Sequence, residues 1–187
     1  MTLGTTDIFL LVIIVSTLVV GFFWGAARSL LLVAAWLLAF LAGAYLKLEL
    51  GAYLARQWDN FPAAFSEMAA FGLIYVGMLL AAPVLIVVLT RGNQHVTRSQ
   101  VLDDLVGAVF AVFVAVLGIA GVLIVLATFY DSSELIIDSQ GGPAWTATLY
   151  QSLLHSTIGS GINDELVPII GTLLGPILPA DVREVFG

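Results

Sequence analysis

The sequence contains no cysteine and few charges of either sign. Without cysteine the chain has neither a disulfide framework nor a thiolate for catalysis or metal binding. Charged residues make up 10% of the chain, whereas an average soluble domain is about a quarter charged. A soluble protein with 60% hydrophobic residues would lack the polar side chains needed to cover its surface. The composition therefore favours a membrane protein.

Basic residues and histidines are also scarce, and their scarcity excludes further classes. The formal net charge of −7 argues against nucleic acid as a partner, since phosphate binding needs a basic face. The two histidines, His95 and His155, are predicted to lie on opposite sides of the membrane and cannot share a metal ion. His155 is followed by Ser156, but no G-x-S-x-G elbow is present. We expect no enzyme activity, no catalytic or metal site, and no cofactor.

Long apolar runs are abundant. A helix that crosses a bilayer needs roughly 20 apolar residues. Four segments meet this requirement: Ile8–Ala27, Ser29–Leu46, Met68–Thr90 and Leu105–Tyr130. The predicted fold is an all-α integral membrane protein with four transmembrane helices, a module spanning residues 1–130, and a C-terminal tail of short amphipathic helices over 131–187.

The connections between the predicted spans differ in length. Arg28 alone separates the first two runs, so it predicts a very tight turn between antiparallel neighbours, with its side chain reaching the membrane interface. The stretch Lys47–Glu67 is interpreted as a short interfacial connection. The polar loop Arg91–Asp104 joins the last two spans, and Thr97-x-x-Gln100 resembles a capping box.

The tail carries two segments with apolar periodicity. Over Trp145–Ile158 the spacing places Trp145, Leu149 and Leu153 on one helical face, opposite a polar face that includes Thr146. The following segment "ELVPIIGTLLGPILP" is too short to span and contains three prolines. Both are expected to form a lid on the membrane surface or against the bundle.

Arginines in the short connections predict the orientation. Arg28, Arg91 and Arg98 lie in the two short connections, whereas the remaining basic residues are spread over longer stretches. Short loops rich in Lys and Arg stay in the cytoplasm. Both termini are therefore expected outside the cytoplasm of a plasma or inner membrane.

Small residues one helical turn apart suggest close helix packing. Gly21-x-x-x-Gly25 occurs in the first span and Gly107-x-x-x-Ala111 in the fourth. Such pairs let two helix backbones approach. A contact inside one chain is the first interpretation, and a homodimer interface is the alternative.

Three carboxylates stand at span ends. Asp7 begins the first span and is interpreted as a helix cap or anchor, with a proton relay as the alternative. Asp103 and Asp104 begin the fourth span. They are expected to complement a helix N-terminus or to pair with Arg91 or Arg98, rather than to act as an acid–base pair.

Several of these positions resemble the CvpA family, the colicin V production proteins. Members have an acidic residue near the start of the first span and a G-x-x-R element at its end, matched here by Asp7 and by "GAAR" from Gly25 to Arg28. Before the fourth span the family has D-R-x-x-G-x-x-F-G-x-x-R-G, and Asp103, Gly107 and Phe110 match it. The chain departs from the pattern at five positions: Trp24, Asp104, Ala111, Val114 and Ala115. The resemblance covers about residues 5–130.

The resemblance implies an inner-membrane protein linked to colicin V production. It suggests a non-enzymatic protein that acts through contact with protein partners, in toxin production or export or in envelope maintenance, and that contacts membrane lipid. Two alternatives stay open: a small structural subunit of a larger membrane complex, and a transport component that works as an oligomer.

Overall fold

The computed structural model describes residues 4–58, 62–90, 100–130 and 143–186. Within these ranges all secondary structure is helical, which confirms the predicted all-α class. Three long helices, α1 (Thr5–Gln57), α2 (Ala63–Leu89) and α3 (Gln100–Tyr130), are long and apolar enough to cross a membrane. The described part of the tail contains four shorter α-helices, α4 (Ala144–Leu154), α5 (Thr157–Gly161), α6 (Val167–Leu174) and α7 (Ala180–Arg183), and two 3-10 turns, Gly175–Ile177 and Glu184–Phe186. A π-helical turn, Ile162–Leu166, joins α5 to α6.

Helix α1 is broken at Gly25. This residue has φ 74° and ψ 172°, a conformation outside the helical region. The first arm (5–24) runs antiparallel to α3, because Gly21 faces Gly107 and Ala111 while Gly25 faces Asp103. The second arm (26–57) runs parallel to α3, because Ala26 contacts Asp103 and Trp36 contacts Leu117. The two arms correspond to the first two predicted spans, and the break lies three residues before Arg28.

The prediction of a short interfacial connection over Lys47–Glu67 is wrong for most of these residues, which are helical. The second arm continues as helix to Gln57, and α2 begins at Ala63, before the predicted start of the third span. Lys47 ended the uncharged run in the sequence, yet its side chain is only 4% exposed and its Nζ lies 5.9 Å from the centroid of the Phe71 ring. A long aliphatic stem lets lysine pack inside a helix bundle.

The other two long helices also differ at their ends from the prediction. Pro62 is the N-cap residue of α2, and Pro83 lies inside that helix. Helix α3 begins at Gln100, five residues before Leu105, so the two carboxylates at 103 and 104 belong to its first turns. The predicted capping box at Thr97 lies outside the described residues.

The core of the molecule is shared by the long helices and the tail. Aromatic residues from α1 and α2 meet at its centre, where Phe40 lies between Trp36, Phe71 and Tyr75. The same apolar cluster includes tail residues, among them Tyr150, Leu153, Ile162, Ile170 and Val182. The tail therefore packs into the bundle, whereas the predicted domain division at residue 130 stays a prediction because 131–142 lie outside the described ranges.

The first tail helix shows a different buried face from the predicted one. Thr146, Tyr150 and Leu153 are buried, whereas Trp145 is 67% and Leu149 40% exposed. Thr146 can face inwards because its hydroxyl bonds to Tyr130 Oη at 2.6 Å and donates to the Pro143 carbonyl. The single helix predicted over Trp145–Ile158 is two helices, because Ser156 takes an extended conformation and caps α5.

Candidate functional site

The break in α1 is built from a glycine and a carboxylate. Backbone with φ 74° and ψ 172° is accessible essentially only to glycine, which explains Gly25. Asp103 of α3 lies against it, and its Oδ1 accepts a hydrogen bond from the Ala26 N–H at 3.3 Å. Asp103 therefore complements a helix N-terminus, but that of the second α1 arm rather than that of its own helix. We call Gly25, Asp103 and Gly107 the junction.

Close backbone packing continues from the junction along the first arm. A Cβ on Gly107 would lie 2.6 Å from the Gly21 carbonyl oxygen and 2.5 Å from the Gly25 carbonyl carbon. A Cβ on Gly21 would overlap the Ala111 Cβ. The four small residues that the sequence singled out thus lie at one helix crossing, where any larger side chain would separate the backbones.

The remaining motif residues lie near the same end of the bundle. Arg28, on the second arm, donates from Nε to Thr90 Oγ1 at 3.0 Å, and Thr90 is the C-cap residue of α2. This bond ties the first turns of one helix to the end of the next. Phe110 is half-buried on α3, one turn beyond Gly107.

At the opposite end Asp7 joins the start of α1 to the tail. Its side chain is 2% exposed. Oδ2 accepts from the Gly4 N–H, and Oδ1 accepts from the Ile158 N–H in the first turn of α5, both at 3.0 Å. The N-cap of α5, Ser156, accepts from the Gly159 N–H at 2.8 Å. We call Asp7, Ser156 and Ile158 the tail clamp. Ser156 serves as a helix cap, and its neighbour His155 is exposed.

A polar cluster lies in the middle of the bundle. Trp36 Nε1–H donates to Tyr75 Oη at 2.8 Å and to the Leu117 carbonyl at 2.9 Å. Tyr75 Oη in turn donates to the Gly118 carbonyl at 3.1 Å. A Cβ on Gly121 would overlap the Tyr75 hydroxyl, so this glycine makes room for it. Trp36 lies within the second predicted span and Gly121 within the fourth, but no sequence spacing links either residue to Tyr75 on another helix.

One family model covers the junction and two of the three residues of the tail clamp. This model, described as Colicin V production protein, matches residues 6–157. The chain belongs to this family. The match extends the resemblance, which the sequence motifs carried over about 5–130, through the first tail helix to residue 157, and so includes Asp7 and Ser156 but not Ile158. No curated protein and no solved structure matches the chain.

Membership of the colicin V production family connects this multi-pass membrane protein with toxin production. Five of the six positions that match the family pattern hold the fold at its two ends: Asp7 in the tail clamp, Gly25, Asp103 and Gly107 in the junction, and Arg28 in the bond to Thr90. Their contacts are structural, since each carboxylate accepts from backbone N–H groups of another segment. The structure thus gives these motif residues positioning roles.

Proposed function

We propose that this protein is a non-enzymatic membrane scaffold that binds a protein partner through its tail, in toxin production or export. The observation that carries the proposal is an apolar stripe on a rigidly held tail. Ile169 and Leu173 are 53% and 71% exposed and stand four residues apart on α6, which places them on one helical face. Ile177, which is 48% exposed, follows them in the 3-10 turn Gly175–Ile177. We call these three residues the tail stripe.

Contacts with the helix bundle hold the tail stripe in position. On the other side of α6, Val167 and Ile170 are buried in the core. The Tyr45 hydroxyl of the second α1 arm donates to the Ile177 carbonyl. A surface that is held by the bundle loses little conformational freedom when a partner binds, which favours affinity.

The charges beside the stripe favour protein over lipid. Helices that bind anionic membranes carry Lys and Arg on their polar face. Here Asp164 and Glu165 are exposed in the turn before α6. Arg183, the described basic residue that is nearest in the sequence, donates from Nη2 to the Leu178 carbonyl. Anionic headgroups would be repelled by the two carboxylates, whereas an apolar face of a protein with a basic rim would complement the stripe.

The proposed topology places this surface in the envelope. If the two α1 arms, α2 and α3 each cross the membrane, the start of α1 and the tail share one side. The short connections carrying Arg28, Arg91 and Arg98 lie on the other side and are expected in the cytoplasm. The tail stripe would then face the outside of the inner membrane, where an exported toxin or an envelope protein is accessible.

A point variant in the stripe tests the proposal. The tail contributes to the hydrophobic core, so a truncation would disturb the bundle itself, whereas Leu173 can be changed at the surface. Affinity purification in mild detergent should recover a stoichiometric partner with the wild-type chain, and Leu173→Glu should lose it. The matched control is Thr172→Glu, which places the same charge one residue away, about 100° around the helix from Leu173.

The outcomes separate the alternatives. Loss of one partner with Leu173→Glu but not with Thr172→Glu supports the scaffold. Recovery of the same multi-protein assembly with all three chains contradicts docking through the stripe and favours a structural subunit held elsewhere. A homo-oligomer with no partner contradicts the proposal and favours the transport alternative.

A further inference from the structure

A cleft of about 640 Å³ lies between α2 and α3 near the tail end of the bundle. It is lined by residues of both long helices and is closed at one end by α4; those that matter here are Gly72, Gly77, Val122, Val125, Trp145 and Leu149. We propose that this cleft binds one acyl chain of a membrane phospholipid. The inference concerns a ligand site and is independent of the partner proposed for the tail stripe.

A glycine on α2 opens the cleft. A Cβ on Gly77 would meet nothing within 4 Å, whereas one on Gly72 would lie in ordinary contact with Val125, at 3.5 Å. The space beside Gly77 is therefore open because this residue has no side chain. Nearby, the Tyr75 side chain packs against Gly121 and fills the space between α2 and α3, so the cleft does not continue past Tyr75 in that direction.

The lining suits a hydrocarbon chain. None of the described lining residues carries a charge at neutral pH. Two polar members already have partners inside the protein: Thr146 bonds to Tyr130 Oη, and Tyr75 bonds to Trp36 and to the Gly118 carbonyl. A polar ligand would find few unpaired groups here, whereas methylene groups lose nothing by entering an apolar site.

The cleft continues the lipid-facing surface of α2. Leu73 and Leu80 border it and are 57% and 72% exposed, so in a multi-pass protein they face the bilayer. At the tail end Trp145 is 67% exposed on a short amphipathic helix, a typical position for tryptophan at the membrane–water interface. A chain inside the cleft would therefore place its headgroup at the level of Trp145, in the leaflet on the side of the tail.

The size of the cleft distinguishes a lipid chain from a partner helix. A helix with its side chains is about 10–12 Å wide and rises 5.4 Å per turn. By this measure 640 Å³ holds roughly one to one and a half turns, far less than a spanning helix. A single flexible chain can enter between α2 and α3 without separating them further.

Photocrosslinking in vesicles tests the site. The full-length protein is reconstituted in phosphatidylethanolamine and phosphatidylglycerol vesicles that contain a phospholipid with a diazirine on its acyl chain. Digestion and mass spectrometry should find the adducts concentrated on the α2 and α3 segments that line the cleft. Gly77→Phe should fill the cleft and lower the α3 adducts severalfold. Gly118→Phe is the matched control, since this glycine also has open space at its Cβ position but does not line the cleft.

Each outcome decides the proposal. Adducts spread evenly over all lipid-facing helices, unchanged by Gly77→Phe, would overturn it. So would a cleft protected from lipid and crosslinked to a second polypeptide in native membranes, because a protein would then occupy it. Clustered adducts that are lost with Gly77→Phe and kept with Gly118→Phe support an acyl-chain site.

Discussion

At the scale of single residues, the glycines divide into those that a neighbour presses against and those that face open space. Gly21 and Gly107 could be identified from the sequence, because a four-residue spacing of small side chains is visible without knowing the partner helix. The role of Gly121 could not be predicted, because Tyr75 lies on a different helix. The same limit applies to Asp103, whose hydrogen bond reaches across to Ala26. Sequence spacing reports neighbours within a helix, whereas these contacts depend on how the helices assemble.

Gly121→Ala tests the room that the glycine leaves for Tyr75. The added methyl group would overlap the tyrosine hydroxyl and ring, and overpacking in a core typically costs about 1–3 kcal/mol. We expect a lower midpoint of thermal unfolding in detergent. The matched control is Gly118→Ala on the same helix, where a Cβ meets nothing within 4 Å. Equal midpoints for the two variants would show that Gly121 is not in close contact with Tyr75.

At the scale of elements, the ends of the helices carry the family pattern. A glycine-only conformation at Gly25 breaks α1, and Asp103 caps the arm that follows. At the other end Asp7 caps both its own helix and α5. The sequence indicated an anchoring role for Asp7 but not its partner, because Ile158 is 151 residues away along the chain. Long-range hydrogen bonds of this kind leave no periodic signal.

Asp7→Ala should loosen the tail clamp. Without the carboxylate, the Ile158 N–H loses its acceptor, whereas the Gly159 N–H keeps Ser156 Oγ. Hydrogen–deuterium exchange of the full chain in lipid nanodiscs should therefore become faster in peptides that contain Ile158. Thr6→Ala, at the half-buried neighbouring position, should leave that exchange unchanged. If these peptides were as well protected in Asp7→Ala as in the wild type, Asp7 would not hold the start of α5 in place.

At the scale of the whole molecule, the class and the apolar segments were predictable because bilayer thickness constrains helix length. The all-α class and the positions of the long apolar helices follow from uncharged runs of about 20 residues. Their ends did not follow, because a helix can continue past the end of an uncharged run: α1 extends beyond Lys47 to Gln57. The sequence also did not predict that tail residues belong to the hydrophobic core, since amphipathic spacing does not reveal which helical face packs against the bundle.

The proposed topology has the chain turn back at Gly25, so that the start of α1 and the tail lie together outside the cytoplasm, opposite the junction. Because the chain has no cysteine, single substitutions report on sidedness without interference. Suitable positions are Thr5 and Ala27, which are exposed, and Gly161, where a Cβ meets nothing within 4 Å. A membrane-impermeant maleimide applied to intact spheroplasts should label Thr5→Cys and Gly161→Cys, and should reach Ala27→Cys only after permeabilisation. Labelling of Thr5→Cys and Gly161→Cys from opposite sides, or of both only after permeabilisation, would contradict this topology.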